Sequence, residues 1–358
     1  MATPAAIESY FDHIRADRPE YEPAMVIWSD KLSPVLSEME ETRKTVIRRA
    51  VVRTIVTAVI MIAIVAAVGM FAGFAYIFPF GIFAAVLLTA LISAVVWAPV
   101  FSMKSQTKQL VVGAACEPFG FRYDTLHPDI EGVGDFRSLG TWIKANRKSV
   151  FTTRDEAPTP AFDRLKTAGL LPGHDKRKFE DLIEGRRADA DFTLVECKLT
   201  QEQGSGKNRR TVTKFQGLLL NIEYPERFFG RTLIARDGWW KRGRGAGDLQ
   251  KVQLVSKELE DAFTVYSTDQ VEARTLLTPD RMERLIALER HFKGGKLRGI
   301  FEDGHMTIAL EAEDQFEAGS IFSTLVDPSR FVQTLIEIGL VCDLIDGFLT
   351  REWYKDKI

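Results

Sequence analysis

Residues 54–103 read TIVTAVIMIAIVAAVGMFAGFAYIFPFGIFAAVLLTALISAVVWAPVFSM and contain no charged side chain. A helix needs roughly 20 mostly apolar residues to cross a bilayer, and segments 51–71 and 78–101 each reach that length. Gly73, Pro79 and Gly81 mark a bend between them. The reading is a transmembrane hairpin, two crossings that return the chain to the side it left. A buried hairpin of a soluble protein is the bland alternative, but soluble core helices seldom run so far without a charge.

The flanks set the expected orientation. Arg43, Lys44, Arg48, Arg49 and Arg53 precede the first span, Lys104 and Lys108 follow the second, and the connecting loop has no Lys or Arg. By the positive-inside rule both termini are expected in the cytoplasm. Trp97 and Tyr76 stand near span ends, as interfacial anchors do. About fifty polar and amphipathic residues precede the apolar run, unlike a cleaved signal peptide, so the hairpin is expected to persist.

Outside the hairpin, four parts are expected: a helical arm (1–49), the hairpin itself (50–103), a connecting segment (104–160) and an α+β domain (161–358). The net charge of −2 and pI of about 6.3 give no basic field to gather nucleic acid, and no nucleic-acid partner is expected. Cys116, Cys197 and Cys342 stand far apart, which argues against a disulfide framework or a zinc site, and the five histidines form no HExxH. No metal or cofactor is expected.

In the arm, Ile7, Tyr10, Phe11 and Ile14 recur at helical spacing, and a second helical stretch runs from Leu32 into the first span. Such an arm has two partners open to it, the later domain or a second copy. After an apolar segment (110–121) and a loop-like stretch (127–160) with one short helix near 141–148, the pattern turns to mixed α and β. A helix at 162–168 ends at Gly169, and strands are expected at 180–183, 192–199, 212–222, 232–235, 252–255 and 264–266, as in a mainly antiparallel sheet. Leu297, Gly299 and Phe301 alternate into Asp303-Gly304, and Met306, Ile308 and Leu310 alternate away, the pattern of a tight hairpin. Asp327 with Pro328 starts a C-terminal helix running to about Leu349.

The segment Tyr266-Ser-Thr-Asp269-Gln270-Val271-Glu272-Ala273-Arg274, continuing through Thr278-Pro279 to Met282-Glu283-Arg284-Leu285, resembles the signature of a bacterial family known as domain of unknown function three-one-three-seven. Gly169-Leu170-Leu171-Pro172, Phe179-Glu180-Asp181, Phe215-Gln216-Gly217 and Phe229-Gly230-Arg231-Thr232 add to the resemblance, which spans roughly 110–349. It implies two membrane spans ahead of the domain and carries no activity, cofactor or catalytic residue. Helix punctuation accounts for most of the signature: Asp269 and Glu272 at capping-box spacing, then Thr278 as N-cap with Pro279. Arg274 and Arg284 have no such local account; pairing with carboxylates of the sheet and binding a partner are the two readings open to them.

The sharpest enzymatic candidate is Asp181 with Glu196 and Lys198, the D…ExK-like pattern by which metal-dependent nucleases hold Mg²⁺ and place a lysine beside the attacking water. Such enzymes follow the strand with a helix, whereas 201–210 is a polar loop leading into another strand. Glu196 is read as a solvated strand residue. Two phosphate-loop lookalikes, Gly204-Ser205-Gly206-Lys207 and the glycines 243, 245 and 247, lack the required context. Trp239 and Trp240 beside Lys241, Arg242 and Arg244, with Lys207, Arg209 and Arg210 on another loop, suit an anionic headgroup zone; partly buried rings among solvated charges are the bland account.

The expectation is a bacterial inner-membrane protein whose cytoplasmic domain is a non-catalytic binding or scaffolding module. Its expected partners are the membrane itself, anionic lipid headgroups, and an unknown protein or a second copy. A membrane-tethered metal-dependent nuclease or hydrolase is the alternative.

Overall fold

The computed structural model describes residues 4–72, 80–126, 158–204, 206–224, 227–236, 248–292, 296–313, 315–316 and 322–349. The bend at 73–79 and the short helix expected near 141–148 lie outside them. Helix α1 (Pro4–Arg15) buries Phe11 and Ile14. A helical turn (Ala24–Val26) and a π-helical segment (Ile27–Leu32) lead without a break into α2 (Ser33–Ala72, 40 residues), and α3 (Phe80–Cys116, 37 residues) returns beside it. Both are long and apolar enough to cross a membrane. Ile62, Met70 and Phe83 are 69%, 74% and 69% exposed, so the rest of the described chain does not cover these faces. Trp97 Nε1 donates to Thr54 Oγ1 at 3.0 Å and ties the two helices at one end of the uncharged stretch.

Both helices run on past that stretch into the domain. There the described residues form one antiparallel sheet of nine strands: β1 (Arg122–Thr125), β2 (Lys176–Arg187), β3 (Ala190–Gln203), β4 (Arg210–Glu223), β5 (Thr232–Arg236), β6 (Gln250–Val252), β7 (Phe263–Ser267), β8 (Leu297–Glu302) and β9 (His305–Glu311). Their order is β1-β2-β3-β4-β9-β8-β5-β7-β6. The architecture is α+β, as the sequence predicts. The β8–β9 turn is made by Asp303 and Gly304, both at positive φ (52° and 74°), the primed geometry that matches strand twist. Ala188 and Asp189 do the same between β2 and β3 (49° and 63°), without a glycine to announce it.

The sheet is covered on both faces. On one lies α4 (Ala161–Thr167), whose Phe162 and Leu165 pack with Val195, Cys197, Leu199, Phe215 and Leu219. On the other lie the arm, the end of α3, and the helices α5 (Lys257–Ala262), α6 (Gln270–Leu276), α7 (Pro279–His291) and α8 (Pro328–Leu349), over Phe192, Leu194, Leu218, Leu220 and Ile308. Thr278 and Asp327 cap α7 and α8 as expected.

The arm packs on the domain. Phe11 and Trp28 lie against Phe331 of α8, with ring centroids 6.3 and 6.2 Å away. Arg18 pairs with Asp343 (2.7 Å), and Arg187 holds both Glu20 (2.8 Å) and Asp346. Buried Glu40 bonds Arg43 and accepts from Leu325 N at 3.0 Å.

Gly217 in β4 sits at φ +153°, and a Cβ there would come 2.0 Å from the Leu310 carbonyl oxygen of β9. Gly217→Ala is expected to cost about 2 kcal/mol or more, because backbone cannot swing aside as a side chain can. Chemical unfolding of the detergent-solubilised chain measures this; a change within experimental error would show that the two strands part without penalty.

Candidate functional site: a buried carboxyl pair under the end of α3

The ladder between β2 and β3 slips once. Phe179 faces Cys197 and Leu182 faces Val195, so Glu180 and Asp181 together oppose the single residue Glu196. This is a β-bulge, which turns two consecutive side chains toward one partner. Oxygen atoms of Glu180, Asp181 and Glu196 consequently lie within 4.8 Å of one another. Asp181 and Glu196 are 2% and 3% exposed, covered by the end of α3 and by β1.

Those covering elements supply the partners. Lys108 of α3 donates from Nζ to Asp181 Oδ2 at 2.6 Å, and Tyr123 of β1 donates from Oη to Asp181 Oδ1 at 2.7 Å. Gln315 N donates to Glu196 Oε1 at 3.2 Å, and Lys178 donates to Glu180. Burial, a hydrogen bond to Asp181 and the charge of Asp181 push the Glu196 carboxyl up to about 9, against the opposing pull of Lys108. Glu196 therefore holds its proton at neutral pH. Among the described residues no donor points at Glu196 Oε2, which would orphan a carboxylate but suits a carboxylic acid whose own O–H bonds Asp181. Burial and the neighbouring Asp181 likewise raise the Tyr123 phenol.

The sequence candidates separate here. Asp181 and Glu196 do come together, but the reading of Glu196 as a solvated strand residue is overturned, because the face it occupies is covered. Lys198 lies two positions further along the same face, half-buried, opposite Lys178 and Gln216 in the ladder. The ammonium at Asp181 belongs instead to Lys108, which sequence reasoning took only as a flank of the second span. The three carboxyl groups are close enough for one divalent cation, yet Lys108 and the shared proton already supply positive charge there. Chemically the cluster is suited to clamp α3 to the sheet; a nuclease needs its carboxylates open to a polynucleotide. Trp239, Trp240, Lys241, Arg242 and Arg244 lie outside the described residues.

The signature region forms a second constellation. Asp269 caps α6, accepting from Val271 N (2.9 Å) and Glu272 N (3.0 Å). Glu272 does not close the capping box; it reaches across to accept from Phe229 N (2.7 Å) and Gly230 N (2.8 Å). Thr268 Oγ1 accepts from Arg231 N at 2.8 Å, and Thr232 and Ser267 share a hydroxyl–hydroxyl bond of 2.8 Å. The two motifs, separate in sequence, thus fasten to each other. Of the two readings for the arginines, pairing with the sheet is not seen among the described residues: Arg274 is exposed and Arg284 pairs with Asp280 of its own helix at 3.0 Å. It is Arg281 that reaches out, donating to the carbonyls of Gly347 (3.2 Å) and Phe348 (2.8 Å) at the end of α8.

Among curated proteins none matches the chain. A solved structure, the crystal structure of the mycobacterial trehalose monomycolate transport factor A, TtfA, is similar at 9% identity over 68% of this chain and 94% of that one, with a TM-score of 0.30. A likeness of that size carries no argument. A family model matches residues 213–349, which contain the fastened signature but not Asp181 or Glu196. Over residues 213–349 the chain is similar to the family described as Protein of unknown function (DUF3137).

Proposed function

We propose that this chain is a two-span protein of the bacterial inner membrane, with both termini cytoplasmic, whose α+β domain is a non-catalytic binding or scaffolding module held in fixed orientation beneath the bilayer. The observation that carries this reading is the continuity of α3, which runs from the uncharged stretch into the domain and is clipped to the sheet by Lys108 on Asp181. A flexible tether would let the domain search its surroundings; a helix fixed to the sheet dictates which face looks away from the membrane. The arm adds a second rigid connection through Glu40, Arg18 and Trp28. Burial of the Asp181–Glu196 pair favours this clamp over a metal-dependent hydrolase.

The test has two parts. Reporter fusions at Ile358 and in the 73–79 bend are expected to report cytoplasm and periplasm respectively; a periplasmic signal at Ile358 overturns the topology. Affinity capture from native membranes, comparing the intact chain with one ending before Leu110, is expected to yield a partner that depends on the domain. Mg²⁺-dependent cleavage of DNA or RNA by the purified chain, abolished by Asp181→Ala and by Glu196→Ala, would establish the enzyme instead.

A further inference from the structure

The direction of β2 follows from its contacts with α3. Helix α3 leaves the uncharged stretch at Met103, meets Asp181 through Lys108, and is followed by Phe121, whose ring fills the space beside Gly185 so closely that a Cβ there would lie 2.3 Å away. From 181 to 187, then, β2 runs away from the spans, and from 181 back to 176 it runs toward them. β3 and β4 share that axis, and their joint end, where Gln203 pairs with Arg210, overshoots β2 on the side of the spans.

Length decides how far. Lys108 stands eleven residues beyond Trp97, about 16 Å of helix. Glu196 stands seven residues before Gln203, about 23 Å of strand. The hairpin end therefore reaches the level of the Trp97–Thr54 bond, the polar edge of the uncharged stretch. A separate stretch of chain agrees: Gln315 bonds Glu196, and Phe322, seven residues on and 66% exposed, lies against Trp97 with ring centroids 6.1 Å apart.

Charge at that end is one-sided. Segments 175–180 and 198–214 hold eight basic residues and three acidic ones. Glu202 is engaged by Lys176 (2.7 Å) and Arg209, and Glu180 by Lys178. Among the described residues no carboxylate pairs with Lys198, Arg210 or Lys214. Arg48, Arg49 and Arg53 of α2, at the same edge, are exposed as well.

We propose that the end of the β3–β4 hairpin, through Lys198, Arg210 and Lys214, rests on anionic phospholipid headgroups of the leaflet from which α2 and α3 emerge. The proposal rests on the membrane-anchored reading and adds a third point of support, at which phosphate oxygens take up the charges that the domain leaves unpaired. Three points fix a plane, so the contact sets the tilt of the sheet against the membrane and makes it respond to lipid composition.

The full chain carrying Asn208→Cys, in the exposed turn at Gly206–Asn208, can be labelled there selectively because Cys116, Cys197 and Cys342 are buried. It is reconstituted in vesicles of phosphatidylcholine alone or with about one-quarter phosphatidylglycerol, and quenching by a headgroup spin-labelled lipid is read. The expected result is about threefold stronger quenching in the anionic vesicles, reduced to the neutral level by high salt or by Lys198→Gln with Arg210→Gln and Lys214→Gln. A label at Asp189→Cys, in the opposite turn of β3, is expected to stay unquenched. Equal quenching in the two vesicles, equal quenching at 189 and 208, or relief of quenching by a short RNA overturns the proposal. Carbonate extraction of the same vesicles reports the anchor separately: a chain that resists extraction while position 208 shows no lipid preference refutes the headgroup contact alone, and a chain that is extracted refutes the anchored reading.

Discussion

Lys108→Ala destabilises the domain by about 3–5 kcal/mol, the usual cost of leaving one member of a buried ion pair without the other. Asp181 is 2% exposed, and without the ammonium the Tyr123 hydroxyl and the Glu196 proton are its remaining donors among the described residues. Adding Asp181→Asn to Lys108→Ala recovers most of the loss, because the double variant has no uncompensated charge. Lys198→Ala, by contrast, costs about 0.5 kcal/mol or less, as for a strand residue outside a buried network. Denaturant unfolding of the detergent-solubilised chain, followed by a signal from the domain, measures all four proteins. A single Lys108→Ala variant as stable as the double one would mean that Lys108 is not the counter-charge of Asp181, and the clamp would have to be abandoned. The two lysines also separate the chemical readings, since a lysine serving an attacking water would be Lys198, whose loss would then abolish activity and leave stability alone.

The boundaries between what the sequence discloses and what it hides follow the range of each signal. Absence of charge over residues 54–103 is local and unambiguous, and so are the caps at Asp269, Thr278 and Asp327 and the Asp303-Gly304 turn. Strands β2 and β3 are longer than expected because their ends are charged and their turn, Ala188-Asp189, uses positive φ without glycine. β1 escaped because the apolar segment before it continues the helix through Cys116 and leaves only four residues of strand. Glu196 was misplaced for a deeper reason: alternation assigns residues to two faces but does not say whether a second layer covers the polar one. Here α4 lies on one face and α3 on the other, so Glu196 shares its covered face with Phe192 and Leu194. The bulge that brings Glu180 and Asp181 onto one partner leaves no mark in sequence, and Lys108 reaches Asp181 across 73 residues. The resemblance, read from the fastened signature, points to the family whose model matches but extends it upstream; the match begins at residue 213, after the carboxyl pair.

Glu196→Gln flattens the dependence of stability on pH between about 5 and 9, and this follows from the sign of its shift. The carboxyl goes from 4.5 to about 9 on folding. Below 4.5 both folded and unfolded chains hold the proton and the stabilisation is complete; between the two values the folded chain retains a proton that the unfolded chain has lost. Stability therefore falls as pH rises through this window, by at most about 1.4 kcal/mol per pH unit for one group, and levels off once Glu196 ionises beside Asp181. Glu337, raised by its own burial, slopes the same way, so the difference between wild type and variant isolates Glu196. Glu20 and Glu40, lowered with their arginine partners Arg187 and Arg43, act in the opposite sense, losing their contribution as pH falls through the acid range. The buried thiols of Cys116 and Cys342, pushed up to about 12 by burial, enter only above the window. Around pH 6 the variant is expected to lie close to wild type, since Gln retains a donor for Asp181 and an acceptor for Gln315 N. Near pH 9 it is expected to be the more stable protein by about 2 kcal/mol or more. Unfolding midpoints at the two pH values decide the matter: parallel shifts in wild type and Glu196→Gln would show that Glu196 is ionised throughout, and that the proton placed between it and Asp181 is not there.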